Sequence, residues 1–223
     1  MWINRGKDQP TKTKDRMLEN VFTAEQRDAL QEIANLAMGQ AATRLARLFD
    51  TFIQLSVPRV CVVGVDEATQ TLWEMTGIDE SVTAVRQGFR SDIAGEALLI
   101  CRSSGVGYLS ALVNAPYTHS AHETVSQTEL IFDVANVLTG ACISCVLNQL
   151  DRTPVFSPPS LLGEKIALDD VFQANVLAWR TALLLEVNFA LEDQTFRAHL
   201  VILMDEDSIR RLYDALNALL CSL

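Results

Sequence analysis

An α+β fold with a mainly antiparallel sheet is predicted for this 223-residue chain, arranged as two copies of one unit about a pseudo-two-fold axis. Three observations lead there. First, a set of polar residues, Asp28, Glu32 and Asn35 with Pro58 further on, returns as Glu129, Asp133, Asn136 and Pro159, each pair 101 positions apart. Second, Gly39 and Gly140 share that spacing, as do Thr23 and Thr124; agreement at a single offset indicates an internal duplication. Third, between the long helical patterns lie Val-, Ile- and Phe-rich runs separated by short turn signals, as expected of strands paired locally in hairpins. With 49% hydrophobic residues the chain can bury one substantial core. The repeats, about 22–121 and 122–223, are therefore read as one domain.

Residues 1–21 mix Arg5, Lys7, Lys12, Lys14 and Arg16 with Asp8, Pro10 and Asp15 and have no apolar period, which predicts a flexible, solvated tail. The first long helix is expected from about Ala24 to Phe49, opened by a Thr23-x-x-Gln26 capping box; Thr124-x-x-Gln127 is the matching start of the second. Thr51 to Val65 reads as a strand interrupted at Pro58, since proline cannot donate to a ladder. Leu72 to Thr76 is a further candidate strand. Ser81–Arg90 and Glu96–Arg102 form a hairpin around the turn region 91–95, and Val106–Val113 has a short helical pattern. In the second half Val155–Leu162 answers the first strand. Val176–Glu192 and Phe196–Met204 form a long hairpin, and Asp207–Leu219 closes the chain as an amphipathic helix.

The stripe is the candidate site. Each helical residue advances about 100°, so positions 28, 32 and 35 fall within about 60° of one another. Leu30, Ile33, Ala34, Ala37, Ala41, Leu45 and Leu48 centre on the opposite side, roughly 200° from Asp28, so the stripe faces solvent. A carboxylate and a carboxamide one turn apart on an exposed face suit action on another protein's surface better than on a pocketed small molecule. Read alone, one such stripe is an ordinary solvated surface; its repetition with the proline argues otherwise.

Composition narrows the partners. Asp+Glu 28 against Lys+Arg 18 gives a net charge of -10, which disfavours nucleic acid and anionic membranes and favours a basic protein patch. No run of 18 or more apolar residues and no signal-peptide core are present, so no membrane insertion and a cytoplasmic location are expected. Cys61, Cys101, Cys142, Cys145 and Cys221 read as reduced, buried thiols, and Cys142-x-x-Cys145 as core packing because no second pair completes a tetrahedron. His119 and His122 have His-x-x-His spacing without a visible third ligand and are read as part of a polar loop, so no metal site is assigned; His199 reads as a hydrogen-bonded or exposed strand residue. No phosphate loop, nucleophile elbow or dinucleotide fingerprint occurs.

Asp-x-x-x-Glu-x-x-Asn followed by Pro58, with Glu32-Ile-Ala-Asn35 and Gly39-Gln-Ala-Ala42 beside it, resembles the CheC/CheX/FliY family of chemotaxis phosphatases. Two copies without a further switch domain are most like the CheC branch, and the likeness covers about residues 22–223. The resemblance implies hydrolysis of the phosphoaspartate on a CheY-like response-regulator receiver domain. In that reading Asn35 and Asn136 orient the attacking water. Glu32 and Asp133 pair with the receiver's lysine, and Asp28, Glu129, Pro58 and Pro159 support them. The chain would need no cofactor of its own, the receiver carrying Mg2+. A CheD-like deamidase is a further candidate partner. The alternative is a non-catalytic adaptor that holds a receiver or another chemotaxis protein. The halves differ: Glu129 stands in the leading position of the second stripe, and Asp133 is one methylene shorter than the family's Glu.

Overall fold

In the computed structural model, residues 22–56, 59–113, 126–173, 181–186, 189–191 and 196–222 are described. The tail 1–21, Pro58, Thr124, His119 and His122 lie outside them. The first half contributes α1 (Ala24–Phe49), β1 (Ile53–Leu55), β2 (Arg59–Gly64), α2 (Val65–Thr76), β3 (Val82–Arg90), β4 (Ala94–Arg102) and α3 (Ser103–Val113). The second contributes α4 (Gln127–Gln149), β5 (Val155–Phe156), β6 (Ser160–Ile166), α5 (Leu168–Gln173), β7 (Thr181–Glu186), β8 (Phe189–Leu191), β9 (Arg197–Met204) and α6 (Glu206–Cys221).

All strand pairs are antiparallel. Across the sheet the broken strand β1 and β2 borders β8 and β7; β9, β4 and β3 follow, and the broken strand β5 and β6 closes the other edge. The order reads the same from either edge when the halves are exchanged. Contrary to the expectation of mainly local hairpins, β2 pairs with β7, β3 with β6 and β4 with β9, so each half's broken strand lies on the other half's hairpin. Neither half completes its own sheet.

The central strands are apolar on both faces, as burial between two helical layers requires. Ala97, Leu99 and Cys101 of β4 join Ala198, Leu200, Ile202 and Met204 of β9 under α1, α4 and α6. Leu98 and Ile100 join Val201 and Leu203 under α2 and α5 on the opposite face. Glycine is required at one crossing: a Cβ on Gly95 would stand 2.8 Å from Phe89 Cζ and collide with the Leu203 carbonyl.

Helix α1 runs over the predicted span and buries Leu30, Ile33, Ala34, Ala37, Ala41 and Leu45. Leu48 is instead exposed and Phe49 takes its place in the core. Residues 72–76 are helical, not a strand: Ala68 and Leu72 recur at helical spacing, and Gly77 ends α2 in the left-handed conformation at φ 63°. The short helix α5, burying Leu168, Val171 and Phe172, had no counterpart in the sequence reading. Among the described residues α4 is long and apolar enough to cross a bilayer by length and composition, but 61% of its apolar window is buried inside the protein, as in a core helix. Its Cys142 is fully enclosed, and Cys145 is half-buried with Sγ 3.6 Å from the Ile33 carbonyl on α1. Burial pushes the Cys142 thiol up to about 12. Cys221, read as buried, is exposed at the end of α6.

Candidate functional site

Thr23 and Gln26 form the predicted capping box: Gln26 N–H donates to Thr23 Oγ1 at 3.2 Å, and Thr23 N–H donates to Gln26 Oε1 at 2.8 Å. The buried Gln26 amide also donates to the Tyr213 carbonyl and Asn217 Oδ1 of α6, fixing the start of α1 against the last helix. From that anchored end the stripe follows. Asp28, Glu32 and Asn35 are exposed, and among the described residues none of them has a hydrogen bond or ion pair to the rest of the protein. Leu36, 55% exposed, flanks Glu32 one turn on. The stripe therefore offers a free carboxylate, a free carboxamide and an apolar edge on a rigid helix. Pro58 lies outside the described residues, between β1 and β2.

The second stripe begins differently. Its helix is capped by Ser126 and Glu129, and not by Thr124 and Gln127: Glu129 N–H donates to Ser126 Oγ and Ser126 N–H donates to Glu129 Oε2, both at 3.1 Å. Those hydrogen bonds hold the Glu129 carboxyl below the usual carboxylate range. Glu129 is thus the cap acid of α4, whereas Asp28 stands two residues further into α1 than Gln26, its cap residue. Asp133 is exposed, and among the described residues it has no hydrogen bond or ion pair.

Asn136 is exposed but held. Gln87 of β3, 2% exposed, donates from Nε2 to Asn136 Oδ1 at 2.9 Å and to the Ser157 carbonyl at 3.0 Å. Ser157 is fastened to β3 in turn, through Gly88 N–H to its Oγ and its own N–H to the Gly88 carbonyl, each at 2.9 Å. Pro159, half-buried, follows two residues later. The helix and proline parts of the second motif therefore meet through Gln87. Sequence reasoning missed Gln87 and Leu36, whereas Ser126 was legible as a candidate cap with Glu129 as the N-terminal acid of its helix. The signal for Gln87 was a polar residue at a core-facing position of a strand, in phase with Val85 and Phe89.

His199 is buried in β9, where burial first, and then the positive charges of Arg102, Arg197 and Arg59, lower it to about 4. It is a neutral core residue, not an exposed one. Among the described residues no group of three or more His, Cys, Asp or Glu is placed to hold a metal ion.

The profile of the CheC-like family matches residues 25–62, the span from Asp28 through Pro58. The CheY-P phosphatase CheC of Bacillus subtilis is 22% identical over 206 residues, covering 89% of this chain and 97% of that protein. Among solved structures, Thermotoga maritima FliY aligns with a TM-score of 0.65 at 19% identity, over 89% of this chain and 98% of that one. FliM from H. pylori, in its complex with SpeE, aligns with a TM-score of 0.61 at 8% identity, over 91% and 100%. At these identities the structural matches speak for the fold alone, and the family profile speaks for the first stripe. In its first motif the chain is similar to the CheC-like family, over its length to a CheC relative, and in its antiparallel fold to FliY: the likeness is to the CheC/CheX/FliY chemotaxis proteins.

Proposed function

We propose that this protein is a phosphatase for the phosphoaspartate of a CheY-like receiver domain, acting through exposed helical stripes laid against the receiver's phosphorylation site. The observation that carries the reading is the first stripe: Glu32 and Asn35 stand one turn apart on a helix fixed at its start, solvent-facing and, among the described residues, without intramolecular partners. Groups of this kind, kept unpaired on a rigid surface, suit a task completed on contact with a partner.

In the reaction, water oxygen bonds to phosphorus while the bond from phosphorus to the aspartyl oxygen breaks. The aspartate leaves as carboxylate and the water proton goes to the released phosphate. Asn35 aligns that water, since a carboxamide offers an acceptor and donors without being a strong base. Glu32 pairs with the lysine of the receiver and fixes the register. The receiver brings its own Mg2+ to neutralise phosphoryl charge. Alignment and charge stabilisation supply most of the rate in phosphoryl transfer, so two side chains suffice. Phosphate release from a phosphorylated receiver, compared between the wild type and Asn35→Ala, tests this. Loss of turnover with binding retained supports it. Binding without phosphate release by the wild type would make the protein an adaptor.

A further inference from the structure

We infer that Gln87 is the positioning residue of the second stripe, holding the Asn136 carboxamide in one orientation and so giving the two motif helices sites of unequal preorganisation. This rests on the reading of Asn136 as a water-aligning group. Three facts carry the inference. The Ser157 carbonyl can only accept, so the Gln87 atom 3.0 Å from it is Nε2. The same nitrogen is 2.9 Å from Asn136, which must therefore present Oδ1 and turn its NH2 outward. Gln87 Oε1, finally, is buried and has no hydrogen-bond partner among the described residues. An unpaired, desolvated carbonyl is a cost that a methionine here would avoid, so the function of the amide lies in its nitrogen.

The result is a carboxamide with one lone pair occupied. Its remaining Oδ1 lone pair and both Nδ2 protons point toward solvent, where a water and a phosphoryl oxygen would be met. Less side-chain freedom is left to lose on docking than at Asn35, which among the described residues has no such partner. Because Gln87 also holds Ser157, close to Pro159, both parts of the second motif share one anchor.

The test uses the Asn35→Ala protein, in which the second site acts alone, with a phosphorylated CheY-like receiver as substrate. Gln87→Met keeps the size and removes the donor. It should lower kcat by about threefold to tenfold, the value of one net hydrogen bond, with KM nearly unchanged. In an Asn136→Ala background the same change should have no effect. Side-chain NMR supplies a readout independent of turnover: Asn136 should occupy a single rotamer in the wild type and average in Gln87→Met, while Asn35 averages in both. Unchanged or increased kcat, or an Asn136 that averages in the wild type as Asn35 does, overturns the proposal. Should Gln87→Met fail to fold, the wild-type comparison of the two asparagines decides alone. If the wild type releases no phosphate, the phosphatase reading falls while the rotamer measurement still judges the role of Gln87.

Discussion

Ser126 and Glu129 close on each other across the first turn of α4, each backbone N–H donating to the other's side chain at 3.1 Å. The equivalent pair on α1 is Thr23 and Gln26, so the second helix starts two residues later relative to its stripe than the first does. Glu129 is therefore occupied where Asp28, among the described residues, has no partner. Glu129→Gln, which keeps the acceptor and removes the charge, should leave second-site turnover in the Asn35→Ala background within about twofold, well under the effect of losing a charged hydrogen bond. Ser126→Ala should lower unfolding stability by about 1 kcal/mol. A large loss of turnover in Glu129→Gln would instead place its charge against the partner.

Glycine has opposite roles at two kinds of position. Gly39 and Gly140 lie inside helices, and a Cβ at either would find nothing within 4 Å. Alanine there should stabilise the protein by about 0.5–1 kcal/mol each in denaturant titration. Gly39 follows Asn35 by one turn, so a fall in turnover of Gly39→Ala at raised stability would place the receiver against that part of α1. Gly95→Ala, by contrast, would force Phe89 or β9 to move and should destabilise by about 1–3 kcal/mol.

His199 gives the fold a pH dependence whose sign follows from burial. Its folded value of about 4 lies below the unfolded 6.5, so on acidification the unfolded chain takes up the proton first. Stability is complete above about pH 6.5 and falls as pH drops toward 4, by up to about 3 kcal/mol from this group. His199→Gln should flatten that part of a stability profile measured by chemical denaturation between pH 4 and 7. A slope unchanged by the substitution would assign it to carboxylates.

The sequence made α1, the β3–β4 hairpin, the closing helix and the exposure of both stripes readable, because each rests on a local period or cap. What it hid was set by distant contacts. Residues 72–76 mix the strand formers Trp73 and Thr76 with the helix formers Leu72, Glu74 and Met75, and the helical spacing of Ala68 and Leu72 against α5 decides their conformation. The pairing of β2 with β7 joins residues more than a hundred positions apart and has no local signature. Gln87 was legible only as an oddity, a polar side chain facing inward on an apolar strand. Its partners come from α4 and from the segment before Pro159. Leu48 lies near the edge of the apolar face by helical phase, but Phe49, four residues after the buried Leu45, takes the core position and Leu48 is exposed.

The asymmetry of the two acids leads to the last prediction. Glu32 and Asp133 are both exposed and, among the described residues, without intramolecular partners, so the difference between them is one methylene of reach toward a receiver's lysine. If Asp133 falls short, Glu32→Ala should lower kcat/KM by tenfold or more, the worth of a charge-assisted hydrogen bond of about 1.5–3 kcal/mol, and Asp133→Ala by less than about threefold. Asp133→Glu restores the reach and should raise turnover of the second site, measured in the Asn35→Ala protein, because Asn136 is already held by Gln87 and Pro159 is in place. With Glu129 engaged in its cap, no other acid of the stripe can substitute. Equal activity of the two unaltered sites, each assayed with the other's asparagine replaced by alanine, would mean that the shorter carboxylate reaches its partner after all.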